Sequence, residues 1–245
     1  MPGSMVATAA KCGQCCFLMA RPLFLYLFVV CGCLPSILTG QSQQAYTDAF
    51  AGREGCFYLL NIKTDEPLVF RESLAREAFP AGETIFLPLA MAAMKLDVTS
   101  TPDLQQPEAW LAGLDPDKTK AILEKWGFAA IEKKAGESWP ERVFISAEQQ
   151  AKFWARFVKD DFELNHAGSL QLFEQLLDKN EAGYLLLGLQ ATLPEKRGAW
   201  YVGMVQMQDN RLAFATWLAA GPDTSGEKAR DITLQILQTL TRRQP

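Results

Sequence analysis

Strand-like segments stand at both ends of this sequence, with helix-like segments between them. Residues 55–62, GCFYLLNI, are aromatic and apolar and predict a strand. Polar residues 63–66 supply a turn, and 67–70 a return strand. Three more strands are predicted at 184–190, 199–208 and 211–219, with Asp209-Asn210 as the tight turn between the last two. The segment 84–96, rich in Leu, Ala and Met, predicts a buried helix. Pro88 falls in its first turns, where a missing N–H costs little. Asp115-Pro116 opens a helix over 116–126 that Gly127 ends. Ser146 and Gln149 form a capping box for a helix reaching about 159. Amphipathic patterns predict helices at 169–179 and 225–241. Aromatic Phe153, Trp154 and Phe157 predict core packing, while Trp200-Tyr201 and Trp217 predict packing of the sheet on the terminal helices. This order implies an α+β fold. One antiparallel five-stranded sheet is covered by N- and C-terminal helices, and the middle helices form a second layer or lobe.

The first forty residues stand apart, holding Lys11 and Arg21 but no acid. Residues 22–38, PLFLYLFVVCGCLPSIL, are an apolar run of signal-peptide length preceded by Arg21 and followed by Thr39-Gly40. Met19 makes a better start than Met1 for such a leader. The sequence therefore predicts a leader over 1–40 and a single exported domain over 41–245, periplasmic or extracellular after cleavage. A lipid tether at Cys33 is the weaker alternative. Losing Lys11 and Arg21 takes the net charge from −4 to −6. An acidic chain with no basic cluster excludes nucleic acid and anionic membrane surfaces as partners, apart from N-terminal anchoring.

Five of the six cysteines lie in the leader, and only Cys56 follows it. Cys12-Gly-Gln-Cys15 resembles half a zinc site, but no second pair follows and His166 is the only histidine. No metal, no cofactor and no internal disulfide are predicted.

Four stretches, in order, resemble class D β-lactamases and the penicillin-binding transpeptidase fold. They are GCFYLLNIKTDEPLVF, AFPAGETIFLPLAMAAMKL, WPERVFISAEQQAKF and WYVGMVQMQDN. The resemblance covers roughly residues 45–240 and implies a reduced helical lobe. It also implies a serine acylated in a Ser-X-X-Lys motif, with the lysine one helical turn away as its base. Anchored on Pro88, the serine position holds Glu83 and the lysine position Phe86, while Thr84 keeps the flanking pattern. The short segment between Val98 and Leu114 has no Ser-X-Val, and the Tyr-Gly-Asn position holds Phe128-Ala129-Ala130. The Lys-Thr/Ser-Gly strand motif falls on Leu187-Gly188-Leu189, and the following arginine on Leu193. That lysine and its hydroxyl neighbour help the family bind the β-lactam carboxylate. The apolar replacements predict a cleft that is filled or closed.

The sequence thus implies a catalytically inactive exported protein of this fold, without catalytic residues. It would act by binding a protein or a cell-wall component. Glu83, Thr84 and Trp139 are the weak binding candidates. Glu83 reads first as a helix N-terminal acid, Thr84 as helix packing, Trp139 as core and His166 as a solvated side chain. Two alternatives stand beside this one. The first is an active serine β-lactamase or transpeptidase with a non-standard site; the second is a different hydrolase using Glu83.

Overall fold

The computed structural model describes residues 43–128, 130–131, 139–164, 166–181, 184–207 and 210–241. The leader, Ala129 and Asp209 of the predicted turn lie outside these residues. Residues 43–50 form helix α1, followed by strands β1 (Gly55–Asn61) and β2 (Pro67–Phe70) and helix α2 (Glu72–Arg76). The short strand β3 (Phe79–Pro80) and a 3-10 turn (Gly82–Ile85) lead into α3 (Phe86–Lys95). The lobe holds α4 (Glu108–Leu111), α5 (Pro116–Lys125), strand β4 (Ala130–Ile131), α6 (Trp139–Arg142), strand β5 (Val143–Ile145), α7 (Ala147–Val158) and α8 (His166–Gln175). Strands β6 (Leu177–Glu181), β7 (Tyr184–Thr192), β8 (Gly198–Met207) and β9 (Asn210–Ala219) follow, and α9 (Gly226–Thr241) closes the fold.

The main sheet has six strands in the order β2-β1-β9-β8-β7-β6. Every described pairing in it is antiparallel. Side chains alternate between its faces, so each strand feeds two cores. Phe57 and Leu59 of β1 join Tyr46 and Phe50 of α1 and Ile232 and Ile236 of α9. Cys56, Tyr58 and Leu60 point the other way, into the cluster that holds Leu87 and Met91 of α3 and Trp154 of α7. Central β8 and β9 are buried on both faces along most of their length.

Period-2 alternation also corrects the reading of the aromatic strand residues. Tyr201 does face the terminal helices. Its neighbour Trp200 turns to the opposite face with Trp217, as adjacent strand residues must. The two indoles lie 4.8 Å apart, Phe79 stacks on Trp217 at 4.5 Å, and Trp200 Nε1 donates to the Pro80 carbonyl at 2.8 Å. This cluster pins the segment leading into α3 against the sheet. Phe153, Trp154 and Phe157 pack in the same core, as expected.

A sixth strand replaces the end of the helix expected over 169–179. That helix stops at Gln175, and Leu177–Glu181 pairs with β7 instead. The Gly188 N–H donates to the Leu176 carbonyl at 2.9 Å, which draws the chain into the sheet. Without β6, the N-terminal half of β7 would leave its outer backbone groups unpaired, so sheet pairing overrides the local helical pattern. Polar Lys179 and Asn180 suit an edge strand, which tolerates charge on its solvent side.

Both predicted caps form. Asp115 accepts from the Lys118 N–H at 2.9 Å. Ser146 Oγ accepts from the Gln149 N–H at 3.1 Å, and Gln149 Oε1 accepts from the Ser146 N–H at 3.0 Å. Replacing Ser146→Ala removes one half of this reciprocal pair at the head of α7. The expected loss is about 1 kcal/mol, read as a lower urea midpoint at unchanged slope.

Candidate functional site

The site grows from the turn before α3. Gly82 takes φ of +57°, a left-handed conformation that glycine enters without strain. A β-carbon there would meet Leu193 Cδ2 at 2.9 Å and Ala191 Cβ at 3.2 Å. Glycine therefore lets the start of the helix press directly onto the end of β7. Pro88 sits in the first turn of α3, as its missing N–H requires.

The residues singled out in the sequence divide sharply by environment. Glu83 is exposed in the 3-10 turn. Thr84, one residue on, is buried and fully engaged. Its hydroxyl donates to the Ala81 carbonyl at 2.6 Å and accepts from Gln150 Nε2 at 2.7 Å. A hydroxyl tied this way fastens the helix start to α7. Phe86 is partly buried and packs on the same apolar cluster as Leu187, Leu189 and Leu193. The structure thus brings the lysine position of the helix and the strand-motif positions together, and it does so with hydrocarbon.

Gly188 shows why the middle of the strand motif carries no side chain. A β-carbon there would lie 2.7 Å from both the Tyr201 hydroxyl and a ring carbon of the same residue. The Tyr201 ring occupies the space that a threonine at this point would need.

The cleft is nevertheless open, contrary to the expectation that leucines would close it. A cavity of about 550 Å³ lies beside the apolar cluster, with Glu83, Phe86, Gln175 and Leu189 in its wall. The leucines turn the strand side apolar, but Gly188 and the edge strand leave room in front of it.

Sequence reading missed the polar group on the far wall. Arg230 of α9 grips Asp178 with two bonds, Nε to Oδ2 and Nη2 to Oδ1, each 2.7 Å. The Tyr201 hydroxyl donates to Asp178 Oδ2 at 2.6 Å. Asp178 stands where the register of β6 shifts between Leu177 and Lys179, and the bulge aims it inward. Burial pushes its carboxyl up, but the bonds from Arg230 and Tyr201 outweigh that and leave it below its ordinary value. Burial and the bond to Asp178 raise Tyr201, and the same carboxylate raises Arg230. No motif links positions 178, 201 and 230; only strand pairing and the docking of α9 bring them together.

The other candidates stay apart from the cavity. Trp139 is buried in α6, in the same core as Trp154, as expected. His166 is exposed at the start of α8. Cys56 is buried in β1, and burial pushes its thiol up to about 12, so it is inert. Among the described residues, no group of three or more His, Cys, Asp or Glu could hold a metal ion. Among the same residues, no helix is long and apolar enough to cross a membrane.

A six-stranded antiparallel sheet covered by terminal helices, with a helical lobe behind α3, defines the class D β-lactamase and penicillin-binding transpeptidase fold. Solved structures bear this out. The class D β-lactamase FUS-1 of Fusobacterium nucleatum superposes with a TM-score of 0.72 at 14% identity, covering 82% of this chain and 99% of that one. The class D β-lactamase BAT-2 gives 0.70 at 18% identity, covering 82% and 97%. The C-terminal domain of the Bacillus licheniformis BlaR penicillin-receptor gives 0.67 at 16% identity, covering 80% and 94%. Among curated sequences, the methicillin resistance mecR1 protein of Staphylococcus aureus is 21% identical over 78% of this chain. The chain spans 38% of that protein's length. No protein-family model matches the chain.

Asp178 also gives a pH test. Its folded-state value lies below its ordinary 3.8, so its stabilising effect is full above that pH. The effect fades as pH falls through the lowered value. Asp178→Asn is expected to cost about 1 kcal/mol near neutrality. The gap to wild type should then shrink as urea unfolding is repeated at pH values below 3.8.

Proposed function

We propose that this chain is an exported, non-catalytic member of the fold that acts by reversible binding in the cavity beside α3. The observation that carries this reading is the pairing at the helix start. The position for the acylated serine holds an exposed Glu83, and the position for its base holds Phe86 within an apolar cluster. Acyl transfer needs a hydroxyl with a proton acceptor beside it. The nearest hydroxyl, on Thr84, has an amide and a carbonyl for partners and no base. Fold alone confers no activity.

The fold occurs in a penicillin-receptor domain as well as in β-lactamases, so it is compatible with a receptor-like role. The ligand would be a protein segment or a cell-wall component, met outside the cytoplasm if the leader directs export as its composition suggests. Glu108 lines the same cavity, but among the described residues no carboxylate or histidine is hydrogen-bonded to Glu83, which weighs against a hydrolase built on that residue.

Incubation of the folded chain with a fluorescent penicillin, followed by a denaturing gel, tests the reading. No labelled band is expected; a stoichiometric, denaturation-resistant adduct would overturn it.

Restoring the motif residues should not restore the chemistry. The double variant Glu83→Ser, Phe86→Lys is expected to stay unlabelled. It puts an ammonium group against leucines and leaves the strand motif apolar. A stability loss of about 1–3 kcal/mol is expected for Phe86→Lys alone, from burying a polar group among apolar neighbours. Calorimetric melting of the two variants beside wild type checks this.

A further inference from the structure

We propose that the cavity beside α3 selects a cationic ligand, one with an ammonium or guanidinium group on an apolar body, and disfavours carboxylates. This deepens the binding reading above and rests on it.

Several wall donors are engaged within the protein. Arg230 turns its Nε and Nη2 to Asp178, and the Tyr201 hydroxyl donates to the same carboxylate. The Gly188 N–H goes to the Leu176 carbonyl. The Leu104 N–H goes to Gln175 Oε1 at 2.7 Å, and Gln175 Nε2 goes to the Pro102 carbonyl at 2.9 Å. The acceptors are not spent. Glu83 and Glu108 both line the cavity, and among the described residues neither side chain has a hydrogen bond or ion pair.

Charge points the same way. The wall contains three carboxylates, Glu83, Glu108 and Asp178, against one guanidinium, Arg230. Asp178 and Arg230 neutralise each other, which leaves two negative charges facing the cavity. A cation entering it meets attraction from both, reinforced by the chain's net charge of −4. A carboxylate would shed water and find, among the described lining residues, only a guanidinium already paired with Asp178. The positions that resemble the carboxylate-binding lysine and arginine hold Leu187 and Leu193, both almost fully buried. Phe86, Leu104, Pro107 and Leu189 offer the remaining wall to an aliphatic or aromatic stem.

The test compares three probes on the full, isotope-labelled chain by NMR titration. They are benzoyl-arginine amide, its neutral isostere benzoyl-citrulline amide, and benzylpenicillin. The arginine compound is expected to give saturable shifts at the amides of Glu83, Phe86 and Leu189. It should bind roughly tenfold more tightly than the citrulline compound, a ratio that two exposed charge contacts supply. The variant Glu83→Gln, Glu108→Gln, altered only at exposed positions, should lose about the same factor while its melting temperature holds. Equal binding of the two isosteres, no loss in the variant, or tighter binding of benzylpenicillin would each overturn the proposal. Mass spectra of the penicillin sample separate the two readings. An acyl adduct overturns reversible binding itself, whereas no adduct with no preference for the cation overturns the charge selection alone.

Discussion

The close approach of the α3 start to the end of β7 is the constraint on which the site depends. It exists because Gly82 has no β-carbon: Leu193 and Ala191 occupy the space one would fill. The left-handed turn at Gly82 then throws Glu83 out to solvent and Thr84 inward, where Gln150 of α7 holds it. With that turn set, the position of Phe86 against the leucines of β7 follows. A larger residue at 82 would strain the left-handed turn and press on Leu193 and Ala191. The Trp200–Trp217–Phe79 stack fixes the same segment from the other side, so the site is clamped between a missing side chain and three large ones.

Hydrocarbon at the motif positions has an energetic logic. A lysine at 86 or 187 would have to be desolvated among Leu, Ala and Met side chains, and it would need a partner to be tolerated. Phe86 and Leu187 add burial instead, which is favourable without geometry to satisfy. Active sites hold groups that a fold would be more stable without, and at these positions this chain carries apolar side chains. What it keeps as a polar device lies on the opposite wall. The Asp178–Arg230 pair with Tyr201 joins an edge strand, a central strand and the terminal helix. Such a pair stitches β6 to α9.

Much of the fold was legible because its signals are local. Capping at Asp115 and Ser146, the proline at 88 and the apolar runs of the strands each act within a few residues, and each formed as the sequence implied. Strand β6 was not legible, because its residues have the spacing of a helix and became a strand only through pairing with β7. The opposed faces of Trp200 and Tyr201 follow from strand period alone, once the strand is granted. The motif positions could be placed by counting from Pro88 and Val202-Gly203, and they do converge. The open cavity and the Asp178 group could not be placed, because they depend on a bulge and on a helix docked fifty residues away in sequence.

The resemblance between this chain and active β-lactamases therefore divides into two parts with different physical causes. Backbone architecture is set by alternation, capping and close packing, and these tolerate almost any side chain at a solvent-facing turn such as Glu83. Chemistry is set by a few positions where a hydroxyl, a base and a cation must meet within hydrogen-bond reach. Selection on the first does not maintain the second. A TM-score of 0.72 at 14% identity shows that the packing rules can be kept while most side chains differ. The informative residues in such a chain are then those that packing does not explain: an exposed carboxylate where a nucleophile would stand, and a cavity left open where leucines could have closed it.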